Sequence, residues 1–183
     1  MNVVLTGAAG FIGFHTSLAL LKKKITVYGI DDLNPYYDVS LKKDRLSILK
    51  KYKNFHFIKK KIEDKTIHLF FKKREIDVII NLAAQAGVRH SLKNPYIYIE
   101  SNILGQVNML ELARQFRVKK FIYASSSSVY GGNKSMPFSV NQRVDNPISL
   151  YAASKKSTEL IAECYASLFK IKSTIFLIVV QQK

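Results

Sequence analysis

Tyr151 and Lys155 stand four residues apart in a stretch patterned as a helix, so both side chains leave the same face. A lysine ammonium beside a phenol stabilises the phenolate and lowers its pKa towards the working pH, which equips a tyrosine for acid–base chemistry. The run Ser125-Ser126-Ser127-Ser128-Val129-Tyr130-Gly131 closes a predicted strand. Ligand sites of open α/β sheets collect at the carboxyl ends of strands, so a hydroxyl from this run is placed to hydrogen-bond the oxygen that Tyr151 serves. A third signal is Thr6-Gly7-Ala8-Ala9-Gly10-Phe11-Ile12-Gly13, lying between an apolar run and a helical stretch. Gly7, Gly10 and Gly13 permit a tight turn, close approach of backbone to a pyrophosphate, and close helix–strand packing. The following helix offers free N–H groups and a positive dipole end to phosphates. Asp31 ends the next apolar run, 18 positions past Gly13. A carboxylate there accepts hydrogen bonds from ribose hydroxyls and repels a 2′-phosphate, which favours NAD over NADP. Asp32 is a second candidate for the ribose. A glycine turn or a Tyr-x-x-x-Lys pair is common singly; the set in this order is specific.

These residues need elements to hold them. Apolar runs at 2–6, 25–31, 55–59, 77–82, 119–125 and 173–180 read as strands. Amphipathic stretches at 11–23, 39–53, 66–74, 95–116 and 148–170 read as helices. Strands separated by helices imply right-handed crossovers, hence a Rossmann-like, doubly wound parallel sheet with helices on both faces. The turn-rich stretch 131–147 is the main irregular loop, and no repeat or linker interrupts the chain.

The 183 residues suit one domain, residues 1–183, and 48% apolar composition supplies a core. A single cysteine, Cys164, excludes a disulfide framework and a cysteine zinc site; its place inside the last long helix predicts a buried structural thiol. His15, His56, His68 and His90 are scattered without ligand spacing, so no metal is expected. No apolar run is long enough to span a bilayer, and the N-terminus lacks a signal-peptide pattern, so no membrane partner and a cytoplasmic location are expected. The formal net charge of +16 comes from 29 basic residues, of which 23 are Lys and 6 Arg, spread over both halves of the chain. Base and phosphate reading favours Arg. A lysine-rich solvated surface is therefore expected and no nucleic-acid partner, although a general positive field suits phosphorylated ligands.

With these motifs assembled, the chain resembles the extended short-chain dehydrogenase/reductases, in their nucleotide-sugar epimerase/dehydratase branch. The resemblance rests on Thr6-Gly7 to Gly13, Leu82-Ala83-Ala84, Ser127-Ser128-Val129-Tyr130-Gly131 and Tyr151 with Lys155. Three longer strings resemble UDP-glucuronate 4-epimerases: Asn34-Pro35-Tyr36-Tyr37-Asp38-Val39-Ser40-Leu41-Lys42, Ala83-Ala84-Gln85-Ala86-Gly87-Val88-Arg89, and Ser149-Leu150-Tyr151-Ala152-Ala153-Ser154-Lys155-Lys156. The resemblance implies that Tyr151 takes the proton of the sugar 4-hydroxyl while hydride passes from C4 to NAD and returns to the other face. It assigns Ser126 as the catalytic hydroxyl, and Lys155 to the nicotinamide ribose and to lowering the Tyr151 pKa. Gly7, Gly10, Phe11, Ile12, Asp31, Ile62, Ala83 and Asn102 match cofactor-contacting positions. Gln85 and Arg89, just past a strand end, are expected to face the sugar or its carboxylate, with Ser127 and Ser128 as further substrate contacts. Related dehydratases carry an Asp-Glu pair after the catalytic hydroxyl because elimination needs an added acid and base. Ser127 and Ser128 stand there instead, which favours 4-epimerisation of a UDP-sugar, UDP-glucuronate to UDP-galacturonate.

The sequence departs from the family at two places. Lys61 replaces a customary Asp near the adenine pocket, with Glu63 or Asp64 placed to compensate. The pattern also stops after about residue 175, where the family adds a substrate domain. The expectation is a truncated product or N-terminal fragment exposing apolar surface. An inactive remnant that binds only NAD stands as the alternative, ahead of a basic nucleic-acid-binding protein. The two long helices 95–116 and 148–170 are the candidate homodimer surface.

Overall fold

The computed structural model describes residues 1–134 and 137–178. Six strands alternate with helices. In chain order they are β1 (Asn2–Thr6), α1 (Phe11–Lys22), β2 (Thr26–Asp31), α2 (Val39–Leu49), β3 (Phe55–Lys59), α3 (Ile67–Phe71), β4 (Val78–Asn81), α4 (Val88–Lys93), α5 (Tyr96–Tyr98), α6 (Gly105–Gln115), β5 (Lys120–Ser126), α7 (Leu150–Phe169) and β6 (Ser173–Ile178). All neighbouring strands run parallel, in the order β3-β2-β1-β4-β5-β6. Strand order therefore reverses between β1 and β4, the switch point at which open α/β sheets leave a crevice.

Both faces of the sheet are covered, so the strands are near-continuously apolar rather than alternating. Leu5, Val27 and Phe55 pack with Phe14 and Leu21 of α1 and Leu46 and Leu49 of α2. On the other face Val4, Ile30, Ile79 and Phe121 pack with Ile67 and Phe71 of α3, Met109, Leu110 and Leu112 of α6, and Ala162 of α7. The first helix buries Gly13, Phe14, Ser17 and Leu21, leaving Ile12 to face outward at its amino end.

The structure revises two expectations. The helix expected over 95–116 is α5 and α6 joined by a π-helical turn, Ile99–Leu104. Such turns insert a residue to re-aim a side chain, and here Asn102 reaches two other elements at once. A separate short helix, α4, precedes it. Cys164 is exposed, not buried. The buried positions of α7 are Ala152, Ser154, Lys155, Thr158 and Ala162, a stripe that misses residue 164. The last strand is described only to Ile178; the rest of the run expected over 173–180 lies outside the described residues, as do two residues of the 131–147 loop. As an edge strand, β6 exposes Ile175 and Phe176.

Candidate active site

The glycine loop leaves β1 and enters α1 through a turn that tolerates no side chain at two of its glycines. Gly7 takes φ +69°, and a Cβ there would meet the Ala83 nitrogen at 3.0 Å. A Cβ on Gly13 would lie 2.0 Å from the Gly7 carbonyl oxygen, well inside contact distance. The loop is fixed from below by a buried polar chain. The Thr6 hydroxyl donates to Asn81 Oδ1 at 2.5 Å and accepts the Leu82 and Ala83 N–H groups at 3.1 and 3.0 Å. The Asn81 amide in turn donates to Gln106 Oε1 at 2.7 Å. These groups link the ends of β1 and β4 to α6, at the switch point itself.

A cavity of about 520 Å³ opens above this loop. Gly7, Gly10, Phe11, Ile12, Gly13, Asp31, Asp32, Ile62, Ala83 and Gln85 all line it, so most expected cofactor positions converge on one space. The carboxylate of Asp31 accepts the Ala9 N–H at 3.0 Å and the Leu33 N–H at 2.9 Å, with Lys42 Nζ 3.7 Å away. Asp32 accepts the Asn34 N–H at 2.8 Å. Lys61 lines the same cavity with its side chain largely exposed and 3.9 Å from Glu63, so its charge has a partner at the rim.

Of the expected cofactor and substrate residues, Asn102, Lys155, Arg89, Ser127 and Ser128 lie outside this lining. Asn102 is buried outside the lining, its amide spent within the protein. It accepts from Gln85 N at 2.8 Å and donates to Gln85 O at 3.1 Å and Ser154 Oγ at 2.9 Å. It thus ties the β4 loop to α7. Arg89 is exposed on α4, also outside the lining. Ile62 lines the cavity while its carbonyl accepts Asn108 Nδ2 at 2.6 Å.

The second cluster forms where β5 meets α7. Ser149 caps α7 by accepting the Ala152 N–H at 3.0 Å, which places Tyr151 in the first turn. Lys155, one turn on, is buried and donates from Nζ to the Ala124 carbonyl at 2.8 Å. Ser125 donates to Glu159 Oε1 at 2.5 Å, and Lys156 holds the other carboxylate oxygen at 3.1 Å. Strand end and helix are therefore pinned together by polar bonds at the two residues before Ser126. The Ser126 hydroxyl accepts the Ser128 N–H at 3.2 Å and shares a hydrogen bond with Ser128 Oγ at 3.2 Å, opening a 3₁₀ turn, Ser127–Tyr130.

Electrostatics here differ from the expectation. Burial pushes the Tyr151 phenol above its ordinary pKa, and a hydrogen bond with Ser126 works against that rise. Burial also drives Lys155 down to about 8, opposed by the nearby Glu159. Lys155 Nζ is engaged by a strand carbonyl, and Ser126 is the group that opposes the rise in the Tyr151 pKa.

Sequence reasoning missed Thr6, Asn81, Gln106, Ser154 and Glu159. The signal for the first two was legible: each is a polar residue ending an apolar strand run, where an unpaired polar group would be costly. Nothing in the sequence pairs Asn102 with Ser154 or Ser125 with Glu159, because those contacts join separate elements.

Comparison with known proteins follows this geometry. The family model for GDP-mannose 4,6 dehydratase matches residues 4–180. The chain belongs to that family. Within the wider set of relatives, a UDP-glucuronate 4-epimerase of Thermodesulfobacterium geofontis is 45% identical over 94% of this chain and 53% of its own length. A probable UDP-glucuronate 4-epimerase of Rhizobium meliloti is 46% identical over 96% of this chain and 52% of its own. The UDP-glucuronic acid 4-epimerase of Bacillus cereus, solved with UDP-glucuronic acid and NAD, superposes with a TM-score of 0.88 at 35% identity, over 96% of this chain and 55% of that one. This member of the GDP-mannose 4,6 dehydratase family spans about half the length of the curated relatives it matches.

Proposed function

We propose that this chain binds NAD in the glycine-loop cavity and serves 4-epimerisation of UDP-glucuronate to UDP-galacturonate. The residues present fit the cofactor: two glycines whose Cβ atoms would strike backbone, a buried carboxylate at the end of β2, and an apolar wall of Phe11, Ile12 and Ile62. Gly7, Gly10 and Gly13 with the α1 N–H groups would take the pyrophosphate, Asp31 and Asp32 the adenosine ribose, and Lys155 the nicotinamide ribose. Bound NAD supplies a hydride acceptor that can give the same hydride back.

The observation that carries the choice of reaction is the composition of the β5 end. Tyr151 and Ser126 face each other there, and the two residues directly after Ser126 are Ser127 and Ser128, which carry hydroxyls and no carboxylate. The Glu159 carboxylate of α7 is held by Ser125 and Lys156. Among the described residues, this end of β5 provides for proton transfer at one hydroxyl and shows no added acid–base pair of the kind that elimination of water needs. Tyr151 exchanges a proton with the sugar 4-hydroxyl, and Ser126 orients that oxygen. Turning Lys155 from the Ala124 carbonyl towards a ribose would bring its charge to the phenol and offset the burial that holds the Tyr151 pKa up.

The relatives that act on, or were crystallised with, UDP-glucuronic acid support the substrate. Gln85 at the cavity wall, with Arg89, Ser127 and Ser128, is proposed for the sugar. Residues 1–183 are proposed as the cofactor-binding domain, with most UDP-sugar contacts assigned to the additional length the relatives have. Pairing of two copies is proposed through α5–α6 and α7, whose surfaces expose Tyr96, Ile99, Leu104 and Leu160. A cytoplasmic setting and no nucleic-acid partner complete the reading; an exposed, unpaired Cys164 is in keeping with a reducing compartment. Incubating the purified chain with UDP-glucuronate and NAD and measuring UDP-galacturonate tests it. NAD binding without turnover would instead select the alternative of a binding-only protein.

A further inference from the structure

Tyr36 and Tyr37 lie in the connection between β2 and α2, and packing does not explain them: they are 45% and 39% exposed. Yet both line the glycine-loop cavity. Their contacts fall on its opposite walls. The Tyr37 hydroxyl lies 3.8 Å from where a Cβ on Gly10 would stand, and it accepts Arg45 Nη1 at 3.5 Å while Lys42 Nζ sits 5.0 Å from the ring centroid. Tyr36 reaches the connection after β4. Its ring meets His90 edge-on at 5.2 Å between centroids, and its hydroxyl fills the notch at Gly87, 2.3 Å from the position a Cβ would take.

The sheet order gives this contact its meaning. Strands β2 and β4 flank β1. A side chain that starts after β2 and ends against the loop after β4 must cross the glycine loop between them. Both ends of the crossing are braced. Asn34 Oδ1 accepts the Tyr36 N–H at 2.8 Å, and Asp38 caps α2 through the Ser40 N–H at 2.8 Å. On the far side Tyr98 donates to the Ala86 and Gly87 carbonyls at 2.8 and 2.6 Å. Gly87 itself takes φ +100°, a conformation that keeps the notch free of a side chain.

We propose that Tyr36, seated in the Gly87 notch, is a strap across the pyrophosphate part of the cavity that holds the cofactor in place between hydride removal and hydride return. The proposal rests on the NAD reading and goes beyond it. One hydride leaves the sugar and comes back, so the reaction needs a retained cofactor, not one that exchanges. A cover of this kind acts on release more than on capture.

The test is NAD dissociation, followed by stopped-flow fluorescence as excess NAD displaces bound etheno-NAD. In Tyr36→Ala the dissociation rate should rise by about 10-fold or more, with association changed far less. Tyr36→Phe, which keeps the ring as cover and loses the seat in the notch, should recover most of the retention. The melting temperature of the unliganded protein should be the same in all three, because the side chain is half exposed. Equal dissociation from wild type and Tyr36→Ala overturns the strap while leaving NAD binding intact. Faster release accompanied by a lower unliganded melting temperature in both variants also overturns it, making Tyr36 a scaffold residue. Failure of the unaltered chain to bind either nucleotide overturns the strap and the NAD reading together.

Discussion

The ends of β1 and β2 and the ends of β5 and α7 both make a site, by opposite means. The cofactor cradle is built from backbone and from side chains that are absent: Gly13 has no room for a Cβ, and the Asp31 carboxylate is fixed by main-chain N–H groups. The proposed catalytic cluster is built from side chains that are present and hydrogen-bonded: Lys155 to the Ala124 carbonyl, Ser125 to Glu159, Asn102 to Ser154. A site of the first kind is damaged by addition. A site of the second kind is damaged by removal and carries its state of protonation as part of its structure.

Removal in the cluster should have the largest effect. Tyr151→Phe takes away the group proposed to exchange the proton and leaves the ring in place, so turnover should fall by about 10²–10⁴-fold. NAD affinity, set in the cradle, should stay within about 3-fold. Product formation and NAD titration on the same preparation check both halves. A variant that keeps its turnover removes Tyr151 from catalysis and breaks the division between the two regions.

The pH contrast is next. Lys155 has a folded-state pKa of about 8 against an ordinary 10.5. Between those values the unfolded chain holds the proton more often than the folded one, so this residue makes stability increase as pH rises through the window. Below about pH 8 the lysine is charged in both states and its contribution is flat, at its least favourable. The full span is worth about 3 kcal/mol. Urea denaturation of wild type and Lys155→Met, followed from about pH 7 to about pH 10, should show the gap between them changing by about 2 kcal/mol in favour of wild type. A constant gap would mean that Lys155 is already neutral, or solvated, at pH 7.

Addition in the cradle comes third. A Cβ at residue 13 must push the Gly7 carbonyl, which is backbone and cannot swing aside. Gly13→Ala should cost about 1–3 kcal/mol of stability and weaken NAD binding by about 10-fold or more, since each 1.4 kcal/mol is tenfold. Thermal denaturation with and without NAD reads both. Full affinity in this variant would show that the loop is not held as tightly as its contacts imply.

This division also explains what the sequence could and could not reveal. The cradle was legible because its constraints are local: three glycines at fixed offsets, an apolar strand on one side, an acid at the end of the next. Strands β1 and β3 fall on the expected residues, and the switch point follows from the strand order. The cluster was legible only in the identities of Tyr151, Lys155 and the serine run. Its bonds join residues 17 to 52 apart, as between Gln85 and Asn102 or Asn102 and Ser154, and no periodicity encodes such pairings. The π-helical turn at Ile99–Leu104 was hidden too, since its composition suits an ordinary helix; Asn102 within it bonds to the distant Gln85 and Ser154. The exposure of Cys164 shows a smaller failure, in which residue type was weighed above position on the α7 face.

Lys61 separates a residue that lines the cradle from one that builds it. It stands at the cavity rim with its side chain 62% exposed, paired with Glu63 at 3.9 Å, and nothing buried depends on it. Exposed ion pairs contribute about 0–1 kcal/mol. Lys61→Ala should therefore leave melting temperature almost unchanged and shift NAD affinity by about 3-fold at most. Any shift should shrink as salt is raised, because it arises from a screened charge. Isothermal titration with NAD at low and high ionic strength distinguishes this from a packing role, which salt would not erase. A salt-independent loss of affinity would place Lys61 among the residues that build the cradle, in direct contact with the adenosine.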